Sequence, residues 1–273
     1  SKLNSKLWVL TKPTEFLLLN DSWALIEFFI IPLMSLFLIP NLWRISSFGN
    51  CLILNNNSKL NIPSLESADL INQMMLFNKI FCNEFLDVEA DSSIEKLIEK
   101  ASSELSAQPH VNCHFDFERR NLILSERNEI FVIDFQDLSR GPIGIDLAGI
   151  LLDHYRLADH DAITKALKYF QEQSHFLDSS VDAFELFRWG GVQRNLRILG
   201  VLSRLYLDED KGFRLADMPL ILQNLISIIP DNWACKEYFT EEIKSEKQAL
   251  QSQLKEEKLI LSSTKKRKKI GLV

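Results

Sequence analysis

The segment "HVNCHFDFERRNLILSERNEIFVIDFQD", from His110 to Asp137, sets two polar clusters beside two short apolar runs. His114, Asp116 and Asn121 precede Leu122, Ile123 and Leu124; Asp134 and Gln136 follow Ile130 to Ile133. The apolar runs read as strands, and the polar stretch from Ser125 to Glu129 reads as the turn joining them into a hairpin. Such a hairpin brings the chain back to where it started. Asp134 is therefore expected beside Asn121, with Asp116 on the loop feeding the first strand. A carboxylate and an amide oxygen are hard donors suited to Mg²⁺, which keeps several waters and shares its shell with phosphates. A further carboxylate, near the ion but not bound to it, can accept or orient a hydroxyl proton. The chemistry is phosphoryl transfer to an alcohol. Asp116 is the candidate catalytic residue, and Asn121 and Asp134 are the candidate metal ligands.

The spacing supports this. His114-x-Asp116-x-x-x-x-Asn121 follows the kinase catalytic-loop pattern, and Asp134-Phe135-Gln136 stands where protein kinases carry Asp-Phe-Gly. The competing explanation is an ordinary hairpin with polar residues at its mouth. Arg119 and Arg120 flank the loop and serve either phosphate or substrate binding, or local charge balance. Arg194 and Arg197 lie three apart on a long helix and share a face, for a substrate pocket, for solvent, or for a structural ion pair. His110 and His154 have no partners at metal-ligand spacing. Trp189 and Trp233 read as packing residues.

The elements that position these groups are mostly helical. Helices are expected at 66–86, 92–107, 146–156, 161–174, 181–207 and 217–228; Ile94, Leu97, Ile98 and Ala101 form the apolar stripe of the second. Earlier, residues 5–21 read as a hairpin turning at Lys12-Pro13-Thr14, 22–38 as a helix kinked at Pro32, and 50–55 as a short strand. The polar link "NNNSKLNIPS" at 55–64 separates a small lobe from a large one. The expected division is a small lobe at 1–57, a helical lobe at 58–233 and a charged, helical or disordered tail at 234–273. The fold class is α+β.

Composition excludes several alternatives. The chain has 273 residues, 46% of them hydrophobic, enough for a substantial core. A net charge of −6 gives no footprint for nucleic acid, and the basic run Lys265 to Lys269 reads as a solvated tail. The four cysteines are scattered, which fits a reducing compartment and gives no zinc or disulfide framework. Trp23 to Trp43 is long and apolar enough to span a bilayer, but Glu27, Pro32 and Pro40 interrupt it, so a buried helix followed by a strand is the expectation. The chain opens on Ser1, which points to further sequence upstream.

The motif set resembles the aminoglycoside phosphotransferase family. "FVIDFQDLSRGPIGIDLAGILLDHY" is similar to that family's Asp-Phe-Gln-Asp segment and the helix after it. By that resemblance Asp146 is a structural aspartate, a role compatible with capping the following helix. A narrower likeness is to bacterial anomeric kinases acting on N-acetylmuramate and N-acetylglucosamine in cell-wall recycling. It is carried by "WGGVQRNLRILGVLSRLYLDEDKGFRLADMPLIL" at 189–222, with Asn195 and Arg197 departing from the branch's usual His and Lys. "FLLLNDS" and "LIPNLWRISSFGNCLILN" resemble its small-lobe strand and hinge. The resemblance implies a two-lobed protein-kinase-like fold with a truncated small N-terminal lobe and a mostly helical large lobe. It implies ATP and Mg²⁺ as cofactors, nucleotide against Ile53, Leu54 and Asn55, an amino-sugar acceptor, a cytoplasmic location, and no nucleic-acid or membrane partner. Two features leave room for a catalytically weak or inactive kinase-like binding protein. No glycine occurs before Gly49, so a glycine-containing phosphate loop is absent or lies upstream, and no lysine stands out for the phosphates. Glu27 reads equally as a glutamate orienting a phosphate-binding group or as a lone charge at a helix edge. Choline and aminoglycoside acceptors remain alternatives.

Overall fold

The computed structural model describes residues 43–47, 50–54, 62–124, 130–152, 154–174, 177, 180–209 and 212–240. The hairpin expected at 5–21, the helix at 22–38, Glu27 and the tail beyond 240 lie outside the described residues. The long apolar stretch does too, apart from Trp43. Among the described residues no helix is long and apolar enough to cross a membrane.

Strands β1 (Trp43–Ser47) and β2 (Asn50–Leu54) pair antiparallel, with Trp43 opposite Leu54. Helix α1 (Ser67–Leu76) follows and continues as a π-helical segment, Phe77–Phe85. Then come α2 (Ser92–Ala107) and β3 (His110–Cys113). Strands β4 (Leu122–Leu124), β5 (Ile130–Val132) and β6 (Ser139–Pro142) precede α3 (Gly144–Leu151), α4 (His160–Gln173) and α5 (Ala183–Glu209). A 3-10 segment, Gly212–Asp217, leads into α6 (Met218–Ile228). The described chain is α+β, and its large lobe is mostly helical. Its strands form three two-stranded sheets: β1–β2, β3–β6 and β4–β5.

The helix boundaries follow local chemistry. Asp91 caps α2 by accepting from Ser93 N at 2.7 Å, and Asp159 caps α4 by accepting from Ala162 N at 3.2 Å. The expected stripe on α2 is the buried one: Ile94, Leu97, Ile98 and Ala101 are 0–2% exposed. Helix α5 is the central post. It packs against α1, α2, α3 and α6, so it is buried on several sides, from Leu186 to Ser203. Its closest crossing is with α3, where a Cβ on Gly190 would lie 1.9 Å from Gly144 O. Only a glycine allows the two backbones to approach so closely. Gln108 ties the same crossing by accepting from Gly144 N at 2.9 Å and donating to Leu186 O at 3.1 Å.

Several expectations change in detail. The helix expected at 146–156 begins two residues earlier and ends at Leu151, because the chain turns at His154. Strands β3 and β6 are additional: each is four residues with no period-2 alternation, so only their pairing reveals them. The boundary expected at 234 gives to the tail a helical segment at 234–240, where Cys235 and Phe239 are fully buried. Phe239 packs edge-on to Phe77, with ring centroids 5.6 Å apart, so this segment belongs to the core. Trp189 and Trp233 meet edge to face at 6.0 Å, in keeping with a packing role.

Candidate active site

The catalytic-loop segment is anchored at both ends. Strand β3 pairs antiparallel with β6, Cys113 opposite Ser139, so the loop leaves and returns at a fixed place. After Cys113 the chain makes a tight turn in which Phe115 adopts φ +61. That left-handed conformation is costly for an aromatic residue and persists only where surroundings impose it. Asp146 imposes it. From the first turn of α3 its Oδ2 accepts from His114 N at 2.7 Å and its Oδ1 from Phe115 N at 2.9 Å. Asp146 is therefore the structural aspartate that the resemblance implies. It does not cap α3: the capping position is Ile143, and the carboxylate is spent on the loop. Burial pushes the Asp146 carboxyl up to about 6, although the two N–H groups pull the other way.

His114 joins the loop to the hairpin. It is buried, and its Nδ1 accepts from Asp116 N at 3.3 Å. Nδ1 is thus unprotonated, which assigns the proton to Nε2; Nε2 donates to Ile133 O at 2.9 Å. On its other side Ile133 N donates to Asn121 O at 3.0 Å, which extends the β4–β5 register, Leu122 opposite Val132, by one step. The residue before Asp134 is therefore clamped between Asn121 and His114. Asp134 itself is exposed and takes φ +66, a second imposed left-handed residue.

Asp116 and Asn121 meet directly. Asn121 Nδ2 donates to Asp116 Oδ2 at 3.0 Å and to Asp116 O at 2.7 Å. With its amide nitrogen committed, Asn121 has its oxygen left for another partner. Arg120 Nη2 also reaches Asp116 Oδ2, at 2.9 Å. Burial pushes the Asp116 carboxyl up, but the Arg120 charge, the hydrogen bond from Asn121 and the Arg194 charge outweigh it and hold it at about 2.

Glu118 and Arg194 form a layer behind this group. Arg194, on α5, is 1% exposed and ion-paired with the buried Glu118; its Nη2 lies 4.0 Å from Asp116 Oδ1. Burial, opposed by Arg194, pushes the Glu118 carboxyl up. Arg120 Nε adds a second contact to Glu118 at 2.9 Å, so Arg120 and Arg194 provide the charge balance of the loop. Sequence reasoning missed Glu118. The signal was its place two residues after Asp116 in an extended segment, where alternate side chains share a side.

Asp116 lines a cleft of about 650 Å³ bounded by Phe115, Arg120, Asp137, Arg197 and Arg214. This is the size of a small-molecule site. Neither Asn121 nor Asp134 lines it. Of the expected nucleotide contacts, Ile53 and Leu54 lie on β2 and Asn55 lies outside the described residues; β1 packs beside β5. Among the described residues no cluster of three or more His, Cys, Asp or Glu side chains could by itself hold a metal. Asn121 and Asp134 nevertheless fit Mg²⁺, because that ion is usually held by one or two protein oxygens together with phosphates and water.

Residues 81–184 match the model of the Phosphotransferase enzyme family. The N-acetylmuramate/N-acetylglucosamine kinase of Neisseria meningitidis serogroup B is 30% identical over 173 residues, covering 60% of this chain and 52% of the relative. The protein of the same name from Pseudomonas aeruginosa is 27% identical over 173 residues, covering 60% and 51%. The chain thus spans about half the length of these curated relatives. Among solved structures, LicA in complex with AMP aligns with TM-score 0.47 and 14% identity over 73% of this chain and 61% of that one. A Plasmodium vivax ethanolamine kinase aligns with TM-score 0.45 and 14% identity over 76% and 61%. The stretch holding the candidate catalytic loop, the β4–β5 hairpin and Asp146 thus lies within the match to the Phosphotransferase enzyme family model.

Proposed function

We propose that this chain is an ATP-dependent phosphotransferase that phosphorylates a hydroxyl of a small molecule, an amino sugar such as N-acetylmuramate or N-acetylglucosamine. The observation that carries the reading is the Asp116–Asn121 pair, locked through His114 and Ile133 to the residue before Asp134. The kinase names of the curated relatives support the acceptor class. Three buried free thiols among the described residues, Cys82, Cys113 and Cys235, support a reducing, cytoplasmic setting.

In this mechanism the acceptor enters the cleft and presents its hydroxyl to Asp116. With its carboxyl held near 2, Asp116 is a weak base. Its part is to orient the hydroxyl and to take the proton once the new O–P bond is forming. Asn121 through its amide oxygen and Asp134 through its carboxylate would hold Mg²⁺, which neutralises phosphate charge when bound. His114, Asp146 and Glu118 hold the loop so that little reorganisation accompanies transfer. ATP would lie on the β2 side, against Ile53, Leu54 and Asn55.

The test is incubation of the purified chain with ATP, Mg²⁺ and each amino sugar, following ADP and the sugar phosphate. Turnover is expected, and Asp116→Asn is expected to lower kcat by about 10²-fold or more while ATP binding persists. ATP binding without turnover would favour a non-catalytic kinase-like binding protein. Turnover unchanged in Asp116→Asn would remove Asp116 from the mechanism.

A further inference from the structure

The cleft beside Asp116 contains a cation that, among the described residues, makes no direct hydrogen bond or ion pair. Arg120 is neutralised by Asp116 and Glu118. Arg214 donates from Nε to Asp217 at 3.1 Å and from Nη2 to His154 Nδ1 at 3.3 Å. Arg194 is committed to Glu118. Arg197, one turn beyond Arg194 on α5, lines the cleft, and among the described residues it makes no ion pair or hydrogen bond. It is only partly exposed, and below it Ile198, Val201, Leu202 and Leu205 give the cleft an apolar wall. Burial, then the neighbouring Arg194, pulls the Arg197 guanidinium down to about 10, although Asp116, Glu118 and Asp137 pull the other way. Burial outweighs those carboxylates, so a guanidinium with no direct acceptor among the described residues and an apolar wall beside it gains from an anion that bonds it where water is excluded.

The side of the cleft identifies the anion. Asp116 lines it, whereas the metal-side residues Asn121 and Asp134 do not, so Arg197 faces the acceptor rather than the transferred phosphoryl group. N-acetylmuramate differs from N-acetylglucosamine by a lactyl ether bearing a carboxylate. Building on the kinase reading above, we propose that Arg197 is the specificity determinant of the acceptor cleft, receiving the carboxylate of an acidic amino sugar and so favouring it over the neutral one. A guanidinium binds a carboxylate through two parallel hydrogen bonds, whereas a lysine supplies a point charge.

The experiment measures binding of both sugars to the full chain by calorimetry, and their kinetics with ATP and Mg²⁺, for the unmodified chain, Arg197→Met and Arg197→Lys. Thermal melts of all three check that they fold. The unmodified chain is expected to bind the acidic sugar more tightly. Arg197→Met is expected to weaken the acidic sugar at least tenfold more than the neutral one, mainly in KM, and Arg197→Lys to restore part of that difference. On the unmodified chain, the methyl ester of N-acetylmuramate is expected to lose the preference, which tests the proposal even if a variant does not fold. Equal losses on both sugars, an ester that binds as tightly as the acid, or an unmodified chain that binds neither sugar would overturn it. So would a collapse of kcat on both, which would put Arg197 on the phosphoryl group. An Arg197-dependent preference without any sugar phosphate would instead overturn the proposed function and leave this assignment standing.

Discussion

Replacing Asp146 by alanine should separate the geometry of the loop from its chemistry. The carboxylate contacts the candidate catalytic group only through backbone, by accepting from His114 N at 2.7 Å and Phe115 N at 2.9 Å. Asp146→Ala leaves both N–H groups without acceptors. An unsatisfied buried donor costs about 1–3 kcal/mol. His114 is 1% exposed and should incur the upper part of that range; Phe115 is partly exposed and should incur the lower. The sum is about 2–4 kcal/mol, a large share of a typical stability of about 5–15 kcal/mol. At about 2–4 °C per kcal/mol for a domain of this size, the melting temperature should fall by about 4–16 °C. Asp146→Asn keeps one oxygen and turns an amide N–H₂ toward the second donor, so it should fall between wild type and alanine. Released from Asp146, Phe115 no longer has to hold φ +61, and Asp116 shifts relative to Asn121. kcat should therefore drop in both variants at temperatures where they remain folded. Urea unfolding and thermal melts read the stability, and sugar-phosphate formation at a temperature well below the melt reads the loop. An alanine variant that melts within about 1 °C of wild type and keeps its kcat would refute the claim that Asp146 shapes this loop.

Further expectations concern the layer behind the site and the helix crossing. His154 is buried, and burial, followed by the charges of Arg194 and Arg214, pulls it down to about 2. The folded state then keeps it neutral while the unfolded chain takes up a proton below about pH 6.5. Its contribution is complete above 6.5 and shrinks by up to about 1.4 kcal/mol per pH unit below it, so from 6.5 to 5.0 wild type should lose up to about 2 kcal/mol more than His154→Gln. Urea unfolding at both pH values checks this; equal losses would place His154 in water. Arg194→Met leaves the buried Glu118 beside Asp116 with the exposed Arg120 as its counter-charge and should cost about 3 kcal/mol, partly recovered by adding Glu118→Gln, as chemical denaturation of the single and double variants would read. Gly190→Ala should destabilise by about 1–3 kcal/mol despite the better helix propensity of alanine, because its Cβ would meet Gly144 O at 1.9 Å; a higher melting temperature would contradict the close crossing of α3 and α5.

Much of the site was legible in the linear chain because its signals are local. The spacing from Asp116 to Asn121, the apolar runs at 122–124 and 130–133, and the polar turn between them together dictate a hairpin that carries Asp134 back to Asn121. Helical periodicity likewise placed α1, α2, α4 and α5 to within a few residues. Contacts between segments far apart in sequence were not legible. Glu118 meets Arg194 across 76 positions and Asp146 reaches His114 across 32, and no periodic pattern encodes such a meeting. Strands β3 and β6 are similar: neither has an alternating pattern, and they become strands only by pairing with each other. The sequence determined which side chains could hold a metal and orient a hydroxyl, because residue type and short-range spacing suffice for that. Tertiary structure alone decided which of the described cleft arginines form ion pairs and that Arg197 lines the cleft without one, since that depends on how helices α3 and α5 pack around the loop.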